Sequence, residues 1–365
     1  MQVVYQYNHV FTNVLSGHWC YNSDMLSYEI ITEIPQWDEL KTEWNNLLDN
    51  SQTHVPFLRH EFLREWWDTR GGGEWETGDL LVITARDGDQ LVGIAPLFLN
   101  HCKTGKLSLM FIGSFEIVDY LDFIVRPEYL EMFLRGLFTL LGTPDVPQWD
   151  QLDLYNILHE SPSLPALEKV SAEFGWGYHS EVLQKSPRIF LPGDWETYLA
   201  GIDKKQRHEI RRKMRRAESG PVPVAWYVLT DQAKLEEDTQ AFLDLMAQDE
   251  EKARFLTQRM REQMANTIRC AYDTGCLHLA FLTVDGVKAA AYLSFDYINH
   301  LWVYNSGINN SLVEYSPGRV LLGYLLKWAN ENGYTEFDFM RGDEEYKYRF
   351  GAVDRYVCRA VIVKP

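Results

Sequence analysis

Two stretches of this chain carry the same folding instruction. Residues 80–99 read LLVITARDGDQLVGIAPLFL and residues 277–295 read LHLAFLTVDGVKAAAYLSF. Each is a pair of β-rich runs around an Asp-Gly step, Asp87-Gly88 and Asp285-Gly286, where glycine tolerates the positive φ that a tight hairpin turn requires. The turns stand 285 − 87 = 198 residues apart, one domain length. Helical periodicity precedes the first hairpin at 36–48 and 59–69. After each hairpin the pattern predicts strand, helix and strand: 120–125, 131–141 and 151–155 in the first half, 300–305, 319–330 and 336–340 in the second. A matched hairpin followed by a matched strand-helix-strand points to a duplicated unit, an α/β (α+β) fold in which each half is a mixed central sheet flanked by helices. The seam is expected in the polar, Pro-containing stretch 175–193, which divides the chain into a tail at 1–27, a first domain at 28–185 and a second at 186–365.

Length agrees with two units, since 365 residues exceed the roughly 250–300 at which one core stops growing. With 35 basic and 52 acidic side chains the net charge is -17, which opposes an unaided grip on DNA or an anionic membrane, so any polyanion must meet a local basic patch. No run of about 18 apolar residues is present and the first twenty residues lack a signal-peptide pattern, so no transmembrane segment and a cytoplasmic location are expected. Five scattered cysteines, Cys20, Cys102, Cys270, Cys276 and Cys358, suit reduced thiols, and ten dispersed histidines show no ligand spacing, so no metal is expected.

Three stretches concentrate the chemistry. Ser316-Pro317-Gly318-Arg319 precedes VLLGYLLKWANENG, a helix start whose free N–H groups, dipole and Arg319 side chain could converge on a phosphate. The same residues also suit a simple cap on a core helix. From 337 to 351 the sequence FDFMRGDEEYKYRFG ends a strand and opens a loop rich in ionisable groups. There Asp338 or Glu344 could accept a proton from an attacking amine or hydroxyl, and Arg341 or Lys347 could stabilise an oxyanion or hold a phosphate. A solvated, salt-bridged loop fits the pattern as well. Between 203 and 216 the chain carries eight basic residues against Asp203 and Glu209, with Ile210 and Met214 marking a buried stripe. Arg211 and Arg212 on this helix are placed toward an anion, and a simply solvated helix fits the pattern as well.

Taken with Gly93-Ile-Ala-Pro-Leu and Asp119-Tyr-Leu-Asp122, these stretches resemble the BioF2-like acetyltransferase domain of the GNAT superfamily, a group that includes CelD-type proteins and is related to the FemAB peptidyltransferases. The similarity runs from about Trp37 to Gly351. It implies tandem GNAT-like domains and transfer of an acyl group to an amine or hydroxyl. Ser316, Gly318 and Arg319 would stand where GNAT proteins place their pyrophosphate loop, although the usual Arg/Gln-x-x-Gly-x-Gly/Ala pattern is absent. Asp119, Tyr120, Asp122 and Tyr346 are implied as acceptor contacts. The first half offers Arg126-Pro127-Glu128 in place of Ser-Pro-Gly, and Glu128 would repel a phosphate, so that half is assigned a structural and acceptor-shaping role.

Three functions follow as expectations. In the first, acetyl-CoA or another acyl-CoA is the donor and the acceptor is a small molecule or an envelope-, glycan- or peptide-related precursor. In the second, of FemAB type, aminoacyl-tRNA is the donor, although the basic helix is too short for a free-standing tRNA arm. In the third, the halves form a non-catalytic scaffold that binds a partner.

Overall fold

A computed structural model describes residues 26–71, 75, 77–101, 105–113 and 117–365. The proposed tail to residue 25, with Cys20, and Cys102 lie outside the described residues; Cys270, Cys276 and Cys358 are free thiols.

The first part of the chain supplies β1 (Ser27–Ile31), β2 (Asp79–Asp87), β3 (Gln90–His101), β4 (Leu107–Phe111), β5 (Ile124–Val125), β6 (Gln151–Leu158) and β7 (Gly177–Lys185). The second part supplies β8 (Arg188–Phe190), β9 (Val224–Val228), β10 (Leu277–Val284), β11 (Val287–Tyr297), β12 (His300–Ile308), β13 (Glu336–Asp338) and β14 (Tyr356–Val363). They form two mixed sheets flanked by helices, ordered β1-β2-β3-β4-β6-β14-β7 and β9-β10-β11-β12-β13-β8. Both expected hairpins are present as β2–β3 and β10–β11.

Laid side by side, the two orders correspond from β1 and β9 through β14 and β8, while β7 has no counterpart in the second sheet. In each sheet the hairpin is followed by an antiparallel neighbour and then by one parallel step, β4 to β6 and β12 to β13. The counterpart of β12 is thus β4, not the stretch 120–125, of which only Ile124–Val125 is strand.

The next strand comes from the second part of the chain in both sheets. β14, from the end of the chain, runs between β6 and β7 of the first sheet, while β8, just past the seam, pairs with β13 of the second. Sequence limits of 28–185 and 186–365 therefore divide the chain but not the sheets. Helices cross the seam too. His60–Thr69 packs on Gln258–Asp273, and Phe57 meets Phe295 and Tyr304 at ring separations of 5.3 and 6.1 Å. One apolar core joins the first sheet to these second-half residues, burying Phe57, Trp66, Phe281 and Phe295 together. A second core lies on the opposite face of the second sheet, between it and the helices Lys204–Ser219 and Pro317–Glu331. The basic helix lies flat there on Ile210 and Met214, as its apolar spacing predicts, and Gly323 lets it approach, since a Cβ there would stand 3.0 Å from Met214 Sδ. Among the described residues no helix is long and apolar enough to cross a membrane.

Candidate functional site

The site begins where two parallel strands part. Pairing of β12 with β13 ends at Trp302 and Asp338, yet β12 continues to Ile308, so its edge beyond Trp302 lies open on that side. A register slip against β11 leaves Tyr304 as the extra residue of a bulge, and its hydroxyl donates to Ile117 O in the first half at 2.8 Å. At the end of β13, Met340 takes a left-handed conformation (φ 56°) and Gly342 follows at φ 108°. This turns the chain into the short helix Glu345–Arg349, whose Tyr346 and Arg349 lie beside Lys213 and Arg319. A non-glycine residue in that region costs about 1–2 kcal/mol. Asp338 offsets the cost at Met340 by accepting its N–H at 2.7 Å.

Asp338 itself is 0% exposed. Its carboxylate accepts from Tyr120 at 2.9 and 3.1 Å and pairs with Arg355, whose guanidinium also donates to Tyr120 Oη at 2.8 Å. Ser186, at the seam, touches the same phenol. Burial and the neighbouring Asp338 charge hold the Tyr120 phenol well above its usual range, so it stays protonated. Asp338, expected as a proton acceptor, is thus enclosed in the joint between the halves, because the charge of Arg355 requires a buried counter-ion.

Arg341 is drawn into the same joint, its Nε donating to Asp119 Oδ1 at 2.7 Å and its backbone N–H to Oδ2 at 3.2 Å. Asp122 is fully buried among Thr53, Ser161 and the Phe123 N–H; burial raises its pKa against the pull of those hydrogen bonds. Asp119, Tyr120 and Asp122 therefore bind other parts of the chain, and none of the three is open to an acceptor.

Lys347 is buried; it donates to Arg341 O and Gly342 O, each at 2.9 Å, and forms an ion pair with Glu344 Oε2 at 2.9 Å. It holds the loop and aims Glu344, whose side chain is 58% exposed. Glu344 lies in the electrostatic reach of Tyr346 and Tyr292 on one side and of Lys252 on the other. Burial above all, then the neighbouring Tyr292 and the Glu344 charge, pushes the Tyr346 phenol well above its usual range.

Two clefts lie near this loop, the smaller lined in part by its Tyr346 and Arg349 and the larger by Lys252, which feels the Glu344 charge. The smaller, about 20 Å³, lies between the basic helix and the start of helix Pro317–Glu331, lined by Lys213, Arg319, Tyr346 and Arg349. Ser316 does not cap the helix with its side chain. It sits at φ 53°, its Oγ meets Lys213 Nζ at 2.6 Å, and its carbonyl takes the N–H groups of Arg319 and Val320 at 3.1 and 3.0 Å. Pro317 has no N–H, so among the first residues of the helix only that of Gly318 is left to a ligand. At Gly318 a Cβ would stand 2.6 Å from Ile308 Cδ1, so any other residue would turn that exposed side chain aside. Arg319 is exposed. The basic residues named from sequence point elsewhere: Arg211 pairs with Glu196, and Arg212 with Glu209 at 2.8 Å. Lys213, the next residue, shares Glu209 at 3.4 Å but is the one that reaches the helix start.

The larger cleft, about 550 Å³, is lined by Gln248, Asp249, Lys252 and Arg254 on one wall and by Ser306 and Gly307 of β12 on the other. Lys252 donates to Asn305 Oδ1 at 2.9 Å and to Ser306 O at 2.6 Å. Burial lowers its pKa, against the attraction of Asp249 and Glu344. Sequence reasoning missed this lysine, which lies in an ordinary charged run, DEEKAR. Among the described residues no group of His, Cys, Asp and Glu is arranged to hold a metal.

A parted pair of parallel strands, with a helix starting at the opening and an acid-base loop across it, defines a class of group-transfer fold. A family model described as an acetyltransferase (GNAT) domain matches residues 204–348. The chain has the fold of the GNAT superfamily in its FemAB-related, two-halved form. The crystal structure of FemX is similar over 87% of this chain and 95% of its own, at 10% identity and a TM-score of 0.63. A conserved protein of unknown function from Bacteroides thetaiotaomicron VPI-5482 is similar over 92% of this chain and 99% of its own, at 12% identity and a TM-score of 0.58. No curated protein sequence matches the chain.

Proposed function

We propose that the protein is an acyltransferase in which a phosphate-bearing acyl donor meets an amine or hydroxyl acceptor at Glu344. The observation that carries this reading is the position of that carboxylate: open to solvent, aimed by Lys347 at 2.9 Å, with a basic cleft on one side and a polar cleft on the other. In the reaction the acceptor nitrogen or oxygen attacks the carbonyl carbon as the carbon–sulfur bond of a thioester breaks. Glu344 takes the acceptor proton, and the leaving thiolate takes a proton from solvent. The polar cleft lined by Gln248, Arg254 and Asn310 suits a polar acceptor. Apposing two bound reactants in this way supplies about 7–11 kcal/mol of the barrier.

Acyl-CoA is the donor in this reading, with Lys213 and Arg319 on its phosphates. Because the basic cleft is only about 20 Å³, the phosphates sit at its mouth or displace Lys213 from Ser316. A second reading, aminoacyl-tRNA as donor, draws on the FemX-like fold and on Lys204, Lys205 and Arg215, exposed cations with no carboxylate partner among the described residues. Calorimetric titration with acetyl-CoA and longer acyl-CoAs, beside Arg319→Glu, separates the two. Saturable binding lost in the variant supports acyl-CoA. No binding, together with tRNA affinity that falls steeply with salt, supports the second reading. Neither form of binding would leave a scaffold.

A further inference from the structure

Two lysines flank Glu344, and they differ in what their ammonium groups have left to give. Lys347 donates to two backbone carbonyls and is ion-paired with the Glu344 carboxylate. Lys252 has two, both neutral oxygens of β12, Asn305 Oδ1 and Ser306 O. An ammonium has three donors, so one N–H of Lys252 is uncommitted. Its partners also locate it. Asn305 Oδ1 accepts the Ser306 N–H at 2.8 Å while Lys252 takes the Ser306 carbonyl, so the two side chains together satisfy the strand edge that β13 leaves unpaired. Lys252 thus sits in the opening itself, on the wall of the 550 Å³ cleft and within electrostatic reach of Glu344 and Lys347.

We propose that Lys252 is a catalytic residue, its free N–H donating to the acyl carbonyl oxygen and stabilising the oxyanion that forms when the acceptor attacks. This deepens the acyl-transfer reading and rests on it. When carbon–nitrogen bond formation puts negative charge on the carbonyl oxygen, a partly buried cation meets it, and the charge is returned as the carbon–sulfur bond breaks. Lys347, by contrast, is a positioning residue for Glu344. Asp249 attracts Lys252 electrostatically but takes none of its ammonium N–H bonds, its Oδ1 accepting instead the Glu251 and Lys252 backbone N–H groups at the start of the helix Glu250–Phe255.

The test uses the full chain, acetyl-CoA as donor and hydroxylamine as a small nucleophilic acceptor. Lys252→Met is expected to lower kcat by about 10²- to 10³-fold, the effect of removing one oxyanion donor, with the calorimetric Kd for acetyl-CoA unchanged within threefold. A kcat within threefold of the parent, or a tenfold weaker Kd at unchanged kcat, would overturn the proposal. If the parent binds no acetyl-CoA, the donor reading fails on its own, and Lys252 is judged by trace acetic anhydride labelling of the parent at pH 8 with peptide mass analysis. Modification of Lys252 well ahead of Lys347 and at least as fast as exposed Lys204 upholds a reactive amine facing the cleft; Lys252 left intact while Lys204 and Lys205 are fully modified overturns it.

Discussion

The phenol of Tyr120 reaches across 218 residues of sequence to lie 2.9 Å from Asp338 Oδ1, and that contact ties the two halves together at the foot of the site. Tyr120 also accepts from Arg355, so one hydroxyl joins a carboxylate and a guanidinium with no water between them. Tyr120→Phe is therefore expected to lower the free energy of unfolding by about 1–3 kcal/mol, measured by urea denaturation. Asp338→Asn should cost more, about 3–5 kcal/mol, since it leaves the Arg355 charge without its buried partner. Near-equal losses in the two variants would contradict the ranking.

The placement of β14 in the first sheet makes the first half incomplete when cut at the seam. A fragment 26–185 keeps β6 and β7 but lacks the strand that runs between them, leaving two strand edges unpaired. It is expected to be insoluble or unfolded by circular dichroism. Supplying residues 350–365 in the same chain, after a flexible linker, should restore a cooperative transition. A cooperatively folded 26–185 would show that β14 is dispensable.

Glu344 is at a place where activity and stability separate. Its carboxylate is mostly exposed and makes one ion pair, with Lys347, so Glu344→Gln should change the melting temperature little. Acetyl transfer to hydroxylamine should fall by about 10²- to 10⁴-fold as general base catalysis is lost. A large thermal shift with unchanged turnover would assign Glu344 to structure alone.

His278, on β10, is 3% exposed and stacks on Trp328 at 4.8 Å, with neither ring nitrogen hydrogen-bonded among the described residues. Burial lowers its pKa from 6.5 to about 4, so the folded state holds it neutral. The unfolded chain binds the proton more tightly, and the stability this residue contributes is present above pH 6.5 and is lost as pH falls toward about 4. The loss is at most about 3 kcal/mol. His278→Phe should flatten that part of the stability profile, measured by urea unfolding at steps between pH 7 and 4.

Much of the scaffold is legible in local sequence. Asp87-Gly88 and Asp285-Gly286 place both hairpins, and Pro317 with Gly333 bounds the helix Pro317–Glu331, because turn chemistry and apolar period act over a few residues. The conserved order of the two sheets follows from the same repeated elements. What the tertiary structure alone decided is partner choice. The sequence YVCRAVIV of β14 suits a central strand in either sheet, and only the packed fold assigns it to the first. Asp338 and Glu344 look alike as candidate bases six residues apart, yet one is closed in by Tyr120 and Arg355 and the other stands in solvent. Arg211 and Arg212 are claimed by Glu196 and Glu209, while Lys213 and Lys252 reach the clefts. Contacts between residues a hundred positions apart depend on how whole elements dock, and no periodicity along the chain records that.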